Sequence, residues 1–232
     1  MKKEKSNYVE ETMESIAHQW RQPLSQINST VSIIDKILYD KNIQDPLLEE
    51  KLQEIEALTR YMSDTIDDFK NHFAQSNTKE TVNLAGLIKG VISTLEASLK
   101  ENRIELSLNI ATDNLCECHE KQLKQILIVL INNAKDALLE RNTFNARIRV
   151  ELLHQDEQYI IKISDNAGGI TKSVMEKIFE PYYTTKHKSK GTGIGLYMAR
   201  KIIVERHDGE LSVKNLESGT EFSINLPEVT KS

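Results

Sequence analysis

Apolar residues in the first third of the chain recur at alternating steps of three and four positions. This spacing runs through a first stretch, pauses at the polar segment DKNIQDP, and resumes in a second stretch. The positions are Trp20, Leu24, Ile27, Val31, Ile34 and Leu38, then Leu48, Leu52, Ile55, Thr59, Met62, Ile66, Phe69 and Phe73. A repeat of about 3.5 residues is typical of a coiled-coil seam, not of the wider stripe of a globular surface helix. The pattern predicts a hairpin of two helices, the second opened by Pro46.

A single hairpin leaves much of this seam in water, and pairing two hairpins closes it into a four-helix bundle. We therefore expect a homodimer through residues 8–75. Extending the repeat backwards puts Met13 and Ala17 on the seam and His18 one position away from it. His18 is thus expected to project into solvent, where another group can reach it.

The pattern changes after QSNTKET, a polar linker near residues 75–81. Helical and alternating segments follow one another, with adjacent strands more common than strand–helix–strand units. The expected helices cover 84–100, 120–141 and 194–207, and the expected strands 103–110, 146–153, 158–164, ELSVKN and TEFSINL. This order predicts an α+β sandwich of one sheet layer and one helix layer. The chain then has an all-α hairpin domain at 1–76 and a sandwich domain at 80–229.

Composition narrows the class of protein. The 232 residues are 39% apolar and 28% charged, with a net charge of −5, which argues against a nucleic-acid duplex as the main partner. No apolar run reaches the roughly 20 residues of a membrane span, and the start MKKEKSNYVEE lacks a signal-peptide core. We expect a cytoplasmic segment without a membrane part, which leaves room for a membrane or sensor region in a longer protein.

Two cysteines are too few for the disulfide scaffold of a small secreted domain, which favours a reducing compartment. They stand in CECH, where Cys116, Cys118 and His119 are conceivable metal ligands. The alternation around them indicates a strand end instead.

Three stretches of the second domain carry candidate chemistry: LINNAKDAL at 130–138, DNAGGI at 165–170 and GTGIGL at 191–196. Each alone has an ordinary explanation as a surface asparagine, a tight turn or a flexible loop. Together they indicate a nucleotide site, because alternating glycines let the backbone approach a polyphosphate at the start of a helix. The chain has no GxxxxGK[ST] motif, so this is not a P-loop.

Two side chains suit the rest of a nucleotide. Asn133 offers a neutral oxygen to a hard cation such as Mg²⁺, which prefers oxygen ligands and keeps several waters. Asp165, at a strand end, can accept a hydrogen bond from an exocyclic amine such as that of adenine.

With these residues in place, almost the entire chain resembles the catalytic core of a sensor histidine kinase of two-component systems. That core is a dimerisation and histidine-phosphotransfer hairpin followed by a Bergerat-type ATP-binding domain, shared with gyrase, Hsp90 and MutL. The segments AHQWRQPL, QILIVLINNAKDA, DNAGGI, IFEPYYTTK, GTGIGL and GTEFSINLP resemble its phosphoacceptor, asparagine, first glycine, phenylalanine and second glycine boxes and its closing strand, in the same order.

The resemblance implies a role for each matching residue. His18 would accept the γ-phosphoryl group of Mg–ATP, Asn133 would bind Mg²⁺, and Asp165 would read the adenine amine. Phe179 and Pro181 would anchor a lid that runs to about Thr192. The implied nucleotide-binding set is Asn133, Lys135, Asp136, Asp165, Gly169, Ile170, Lys186, Gly191, Thr192, Gly193, Gly195 and Leu196.

Some positions depart from the family's pattern. The family usually has an acid after the phosphoacceptor, whereas Gln19 can orient the imidazole but cannot take a proton at neutral pH. General-base help is worth about 10²- to 10⁴-fold. Gln22, one helical turn after His18, is placed to orient a water for a second, phosphatase function. Val129 replaces another asparagine of the metal box, and Ala167 replaces a glycine, a mild change if its φ is negative.

The expected reaction is phosphoryl transfer from ATP to His18 and then to an aspartate of a response regulator. Two alternatives stay open. One is a Bergerat-type ATPase without histidine phosphorylation, and the other is a nucleotide-binding scaffold that lost catalysis through Gln19 and Val129.

Overall fold

The computed structural model describes residues 22–43, 45–73, 79–111, 115–186 and 193–228. These residues form two compact units. The first contains the two N-terminal helices with the described part of residues 181–194, and the second contains the described part of 76–180 and 195–232. Among these residues, no helix is long and apolar enough to cross a membrane.

The first unit has helix α1 over 22–40 and helix α2 over Pro46–Phe73. The connection between them is well capped. Asn42 has a positive φ of 54°, and the N–H groups of Asn42 and Ile43 donate to the carbonyls of Tyr39 and Leu38, the bond pattern of a Schellman helix end. Asp45 Oδ1 then accepts the N–H groups of Leu47 and Leu48, at 2.9 and 3.3 Å, so it caps α2.

The two helices touch through a side-chain hydrogen bond from the hydroxyl of Thr59 to Oδ1 of Asn28. These residues stand at similar distances along the chain from the connection, so the helices run antiparallel. Seam residues fall into two sets that differ in exposure, and within each set the two positions on one helix are seven residues apart. One set is buried and consists of Leu24, Val31, Leu52 and Thr59. The other stays 39–42% exposed and consists of Ile27, Ile34, Ile55 and Met62.

The second unit is an α/β sandwich around one mixed sheet, which confirms the predicted layers. Strands β2 (Glu105–Ile110), β4 (Arg147–Gln155), β5 (Gln158–Asp165), β7 (Thr220–Pro227) and β6 (Glu210–Asn215) lie side by side in that order. The β2–β4 pair is parallel and the other pairs are antiparallel. The helices are α3 (Leu84–Glu101), α4 (Glu120–Glu140), the short α5 (Lys172–Lys177) and α6 (Gly195–His207).

The core lies between this sheet and helices α3, α4 and α6. Alternation along the strands sends every second side chain into it, so Ile161 of β5 is buried between Leu152 of β4 and Ile224 of β7. Helix α3 starts at a cap, because the side chain of Asn83 accepts the N–H of Gly86 at 2.5 Å.

A short ribbon of β1 (Glu80–Asn83) and β3 (Leu115–Cys118) adds to this architecture. Its first strand begins inside the predicted linker at 75–81, which carries too few apolar residues to show alternation. Cys116 lies opposite Val82, and both cysteines are buried free thiols. No three His, Cys, Asp or Glu side chains in the described ranges are grouped to hold a metal ion. Strand β3 ends at Cys118, so the two cysteines stand at a strand end, as the alternation indicates.

Candidate functional site

A carboxyl group lies at the end of a row of buried apolar side chains on strand β5. On β5, Tyr159, Ile161 and Ile163 point into the core, and Asp165 takes the next position of the same row. Asp165 is 8% exposed, opposite Ile148 of β4. An apolar residue would satisfy the pattern here, so a buried acid at this place indicates a chemical purpose.

The two oxygens of Asp165 have different partners. Oδ1 accepts the N–H of Ala167 at 2.8 Å and the N–H of Thr220 at 3.3 Å. No described residue donates a hydrogen bond to Oδ2. Burial raises the pKa of this carboxyl above its ordinary value, while the two N–H groups and the nearby Arg141 act in the opposite direction. Oδ2 is therefore available to a hydrogen-bond donor from outside the protein.

The turn after Asp165 has backbone φ angles that favour glycine. Gly168 and Gly169 have φ values of 87° and 77°, a region that other residues adopt at a cost. Ala167 is not among the described residues with a positive φ, so alanine fits there without strain. Arg141, at the end of α4, donates to the Ala167 carbonyl, and Gly168 N–H donates to the carbonyl of Ser218 at 2.8 Å.

Asn215, the last residue of β6, is a part of the site that the sequence does not reveal. Its Oδ1 accepts the N–H of Ile170 at 2.9 Å, and its Nδ2 donates to the carbonyl of Ile170 at 2.7 Å. A Cβ atom on Gly169 would come within 2.9 Å of that Oδ1. An asparagine that ends a strand is also typical of an ordinary turn, so no local signal distinguishes it.

The asparagine segment lies on α4, which packs against β5 and against α6. Asn133 and Asp136 are half-buried there. Val129, one turn before Asn133, faces the first residue of α6, since a Cβ on Gly195 would lie 3.2 Å from its Cγ1. The face of α4 that carries Asn133 thus meets the N-terminus of α6.

Lys135 has a contact on another side of α4. Its Nζ donates to Ser98 Oγ of α3 at 3.2 Å, and it stands about 200° around the helix from Asn133. Its predicted contact with a nucleotide stays a prediction, beside this observed role between two helices.

Phe179, the first residue of the predicted lid anchor, is held by two aromatic contacts. Its ring lies edge-on to Phe222 of β7, with centroids 6.5 Å apart. The guanidinium carbon of Arg200 on α6 lies 4.9 Å from the ring centroid of Phe179. Together these contacts attach the end of α5 to the sheet and to α6.

Within the described part of 181–194, two separated pieces of chain approach closely. Gly193 has a φ of 64°, and a Cβ there would lie 2.5 Å from the carbonyl carbon of Tyr182, so only glycine fits. Lys186 is half-buried, and its N–H donates to Thr184 Oγ1 at 3.1 Å. Gly191 and Thr192 lie outside the described residues.

Of the remaining predicted residues, some are described by the structure and some are not. Gln22 is exposed on α1, and Leu196 packs against the core from α6. His18 and Gln19 lie outside the described residues.

The arrangement fits an adenine nucleotide better than a resident metal. A carboxylate oxygen without a described partner, beside glycine backbone, suits a flat group with an N–H donor. Helix α6 begins at Gly195, and the positive end of its dipole suits a phosphate.

Comparisons with known proteins show which family the second unit resembles. Residues 118–230 match the family described as histidine kinase-, DNA gyrase B-, and HSP90-like ATPase. Sporulation kinase A of Bacillus subtilis is 30% identical over 98% of this chain and 36% of its own length. The chain spans 24% to 51% of the length of the first curated relatives it matches.

Solved structures of histidine kinases are also similar to this chain. The catalytic domain of histidine kinase ThkA is 28% identical and aligns with a TM-score of 0.58 over 65% of this chain and 95% of that domain. The structure of ThkA in complex with response regulator protein TrrA aligns with a TM-score of 0.58 over 98% of this chain and 64% of that one. At 22% identity the second likeness shows the fold alone.

Proposed function

Because this chain carries the catalytic core of a histidine kinase, we propose that it transfers the γ-phosphoryl group of ATP to His18. The observation that carries the proposal is Asp165, a buried acid with one oxygen held by two backbone N–H groups and the other without a partner among the described residues. Such an oxygen selects adenine, whose exocyclic amine donates a hydrogen bond, over guanine, which has a carbonyl at that place.

In this proposal the glycine-rich segments bind the phosphates of ATP. The N-terminus of α6, close to Asn133, favours negative charge, and Gly191, Gly193 and Gly195 let the backbone approach. Lys186 adds positive charge on the same segment, and Thr192 and Leu196 complete the proposed contacts. Mg²⁺, held by Asn133 and phosphate oxygens, would neutralise charge on the group being transferred.

The nucleophile is an unprotonated nitrogen of His18. Its bond to the γ-phosphorus forms as the bond to the bridging oxygen of ADP breaks, and the proton on the other ring nitrogen passes to water. Imidazole is largely neutral near pH 7, with an ordinary pKa of about 6.5, so transfer proceeds although Gln19 cannot accept a proton. Catalysis then rests on positioning and charge neutralisation.

The half-exposed set of seam residues supports a homodimer. Ile27, Ile34, Ile55 and Met62 repeat every seven residues and are the surface that a second copy would cover to make a four-helix bundle. The domain division at 1–76 and 80–229 stays a proposal.

A response-regulator receiver domain is the proposed partner, since ThkA was solved with such a protein. Its aspartate would take the phosphoryl group from His18 in the cytoplasm, where ATP is available. Gln22, four residues after His18 in the sequence, is exposed and would orient the water that removes the group from the regulator.

Incubation with γ-labelled ATP tests the proposal. We expect label on the protein that is stable in base and lost in acid, absent from His18→Gln and from Asp165→Asn. His154→Gln is the matched control, because His154 is a surface histidine paired with Glu228, and it should label normally.

Other outcomes favour the alternatives. Released phosphate without labelled protein would indicate an ATPase, and ATP binding with neither product would indicate a scaffold. Label that persists in His18→Gln would disprove the assigned acceptor.

A mixture of His18→Gln and Asn133→Ala chains distinguishes transfer within a subunit from transfer between subunits. Each variant alone should remain unlabelled. Label in the mixture requires one subunit to phosphorylate its neighbour, and its absence indicates transfer within a subunit, given that mixed dimers form.

A further inference from the structure

Two turns meet beside Asp165. The first, here called the glycine turn, covers residues 166–170. The second, called the hairpin turn, covers 215–220 between β6 and β7. They are held together by the Asn215–Ile170 pair of hydrogen bonds, by Gly168 N–H to Ser218, and by the carboxylate of Asp165.

Asp165 is shared between the turns. Its Oδ1 accepts one N–H from each side, from Ala167 in the glycine turn and from Thr220 in the hairpin turn. Both bonds can form only while the turns keep their present separation. Since both bonds fall on Oδ1, that separation also decides which oxygen stays free.

Asn215 is the side chain that sets this separation. Its amide bonds both the N–H and the carbonyl of Ile170, as a neighbouring β-strand would, at 2.9 and 2.7 Å. The missing side chain of Gly169 makes room for it. Gly219 contributes from the hairpin turn, because a Cβ there would overlap the backbone of Asp165.

We propose that Asn215 is a positioning residue for adenine recognition. By tying Ile170 to the end of β6, it keeps Thr220 against Oδ1 of Asp165 and leaves Oδ2 directed to the base. This inference rests on the proposed function. It assigns Asn215 a part in base selectivity without contact to the nucleotide.

Amide hydrogen exchange in the nucleotide-free chain tests the contact itself. In Asn215→Ala we expect the N–H groups of Ile170 and Thr220 to exchange at least about 10-fold faster. Ile170 loses its acceptor, Oδ1 of Asn215, and Thr220 is no longer held against its own acceptor, Oδ1 of Asp165. Asn215→Asp keeps an acceptor and should preserve protection of Ile170. Asn109→Ala, an exposed asparagine on edge strand β2, is the matched control and should leave both amides unchanged.

Equilibrium binding of ATP and GTP tests the consequence. For Asn215→Ala we expect the Kd for ATP to rise about 10-fold, equivalent to about 1.4 kcal/mol. The Kd for GTP should change little, so the preference for ATP falls by a similar factor. A role limited to stability would shift the melting temperature and leave that preference intact.

The two proposals fail separately. If the wild-type chain binds no ATP, the proposed function is wrong, whatever the exchange data show. If the wild type prefers ATP and Asn215→Ala keeps the same Kd and the same preference, the positioning role is wrong. Unchanged exchange at Ile170 in that variant would also overturn it.

Discussion

The two units of this chain treat apolar surface in opposite ways. The sandwich has a core of its own, in which Ile148, Ile161 and Ile224 on three neighbouring strands are inaccessible to solvent. The helix pair buries one set of its seam and leaves the other about 40% exposed. The first arrangement has its core within one chain, whereas the second leaves apolar surface that a partner would cover.

This difference is visible in the period of the apolar pattern. Alternation with a step of two fills the face of a sheet that lies under helices of the same chain. A seven-residue repeat on two helices creates more apolar surface than the pair can cover. The comparison therefore predicts which substitutions act on the folding of one chain and which act on association.

Shortening a core side chain should have the largest effect. Ile161→Ala removes a fully buried side chain and should lower the free energy of unfolding by about 2–5 kcal/mol. Ile33→Ala, on α1 at 57% exposure, should change it by less than about 0.5 kcal/mol. Urea unfolding followed by far-UV circular dichroism measures both. Equal losses would contradict the assignment of the core.

Acid should weaken the sandwich through His207. Burial lowers its pKa to about 4, and the neighbouring His119 and Lys79 act in the same direction. The unfolded chain, with a pKa near 6.5, binds the proton first, so stability is full above about pH 6.5 and is lost as pH falls towards 4. The loss should reach about 3 kcal/mol.

Urea titrations at pH 7.5 and pH 4.5 measure this loss. His207→Phe removes the titrating group, along with two ring nitrogens that are buried without partners in the described structure. It should flatten the pH dependence, whereas the surface control His154→Gln should retain it. An unchanged slope in His207→Phe would assign the acid sensitivity to another group.

A charge placed on the half-exposed set of seam residues should weaken dimerisation. Ile34→Glu places a carboxylate in the proposed dimer contact and should raise the dissociation constant of the dimer at least about 100-fold. Ile33→Glu, its neighbour outside the seam, is the control and should leave the dimer intact. Sedimentation velocity over a concentration series measures both. Equal effects would show that the seam is not the contact.

The smallest effects should come from two helix caps, one in each unit. Asp45→Ala and Asn83→Ala each remove a side-chain acceptor from a helix start and should cost about 1 kcal/mol. The loss for Asn83→Ala should be independent of protein concentration, whereas that for Asp45→Ala should appear in the concentration-dependent transition. The same unfolding series at two concentrations separates them.

The strongly periodic elements could be predicted from sequence. Helix α2 begins at Pro46, as the position of this proline after the polar break indicates. Strand β6 covers the segment ELSVKN, and β7 covers TEFSINL with Pro227 added. Asp165 could be singled out as an acid at the end of a strand. These features depend on neighbours in sequence, which local patterns record.

The remainder depends on contacts between distant residues. The ribbon strand β1 has one buried side chain, Val82, too little for a period. Asn215 contacts Ile170 across 45 positions of sequence, and Arg141 reaches Ala167 across 26. Lys135 shows the same limit, because its bond to Ser98 depends on how two helices pack.

Strand β7, the last strand that the structure describes, lies inside the sheet, between β5 and β6. A ribosome therefore makes this interior strand only after both of the strands that flank it. Until β7 emerges from the exit tunnel, the nascent sheet has unpaired edges that can attract other chains. Thr220 also arrives with β7, so the carboxylate of Asp165 gains its second backbone donor only after β5 and β6 have been made.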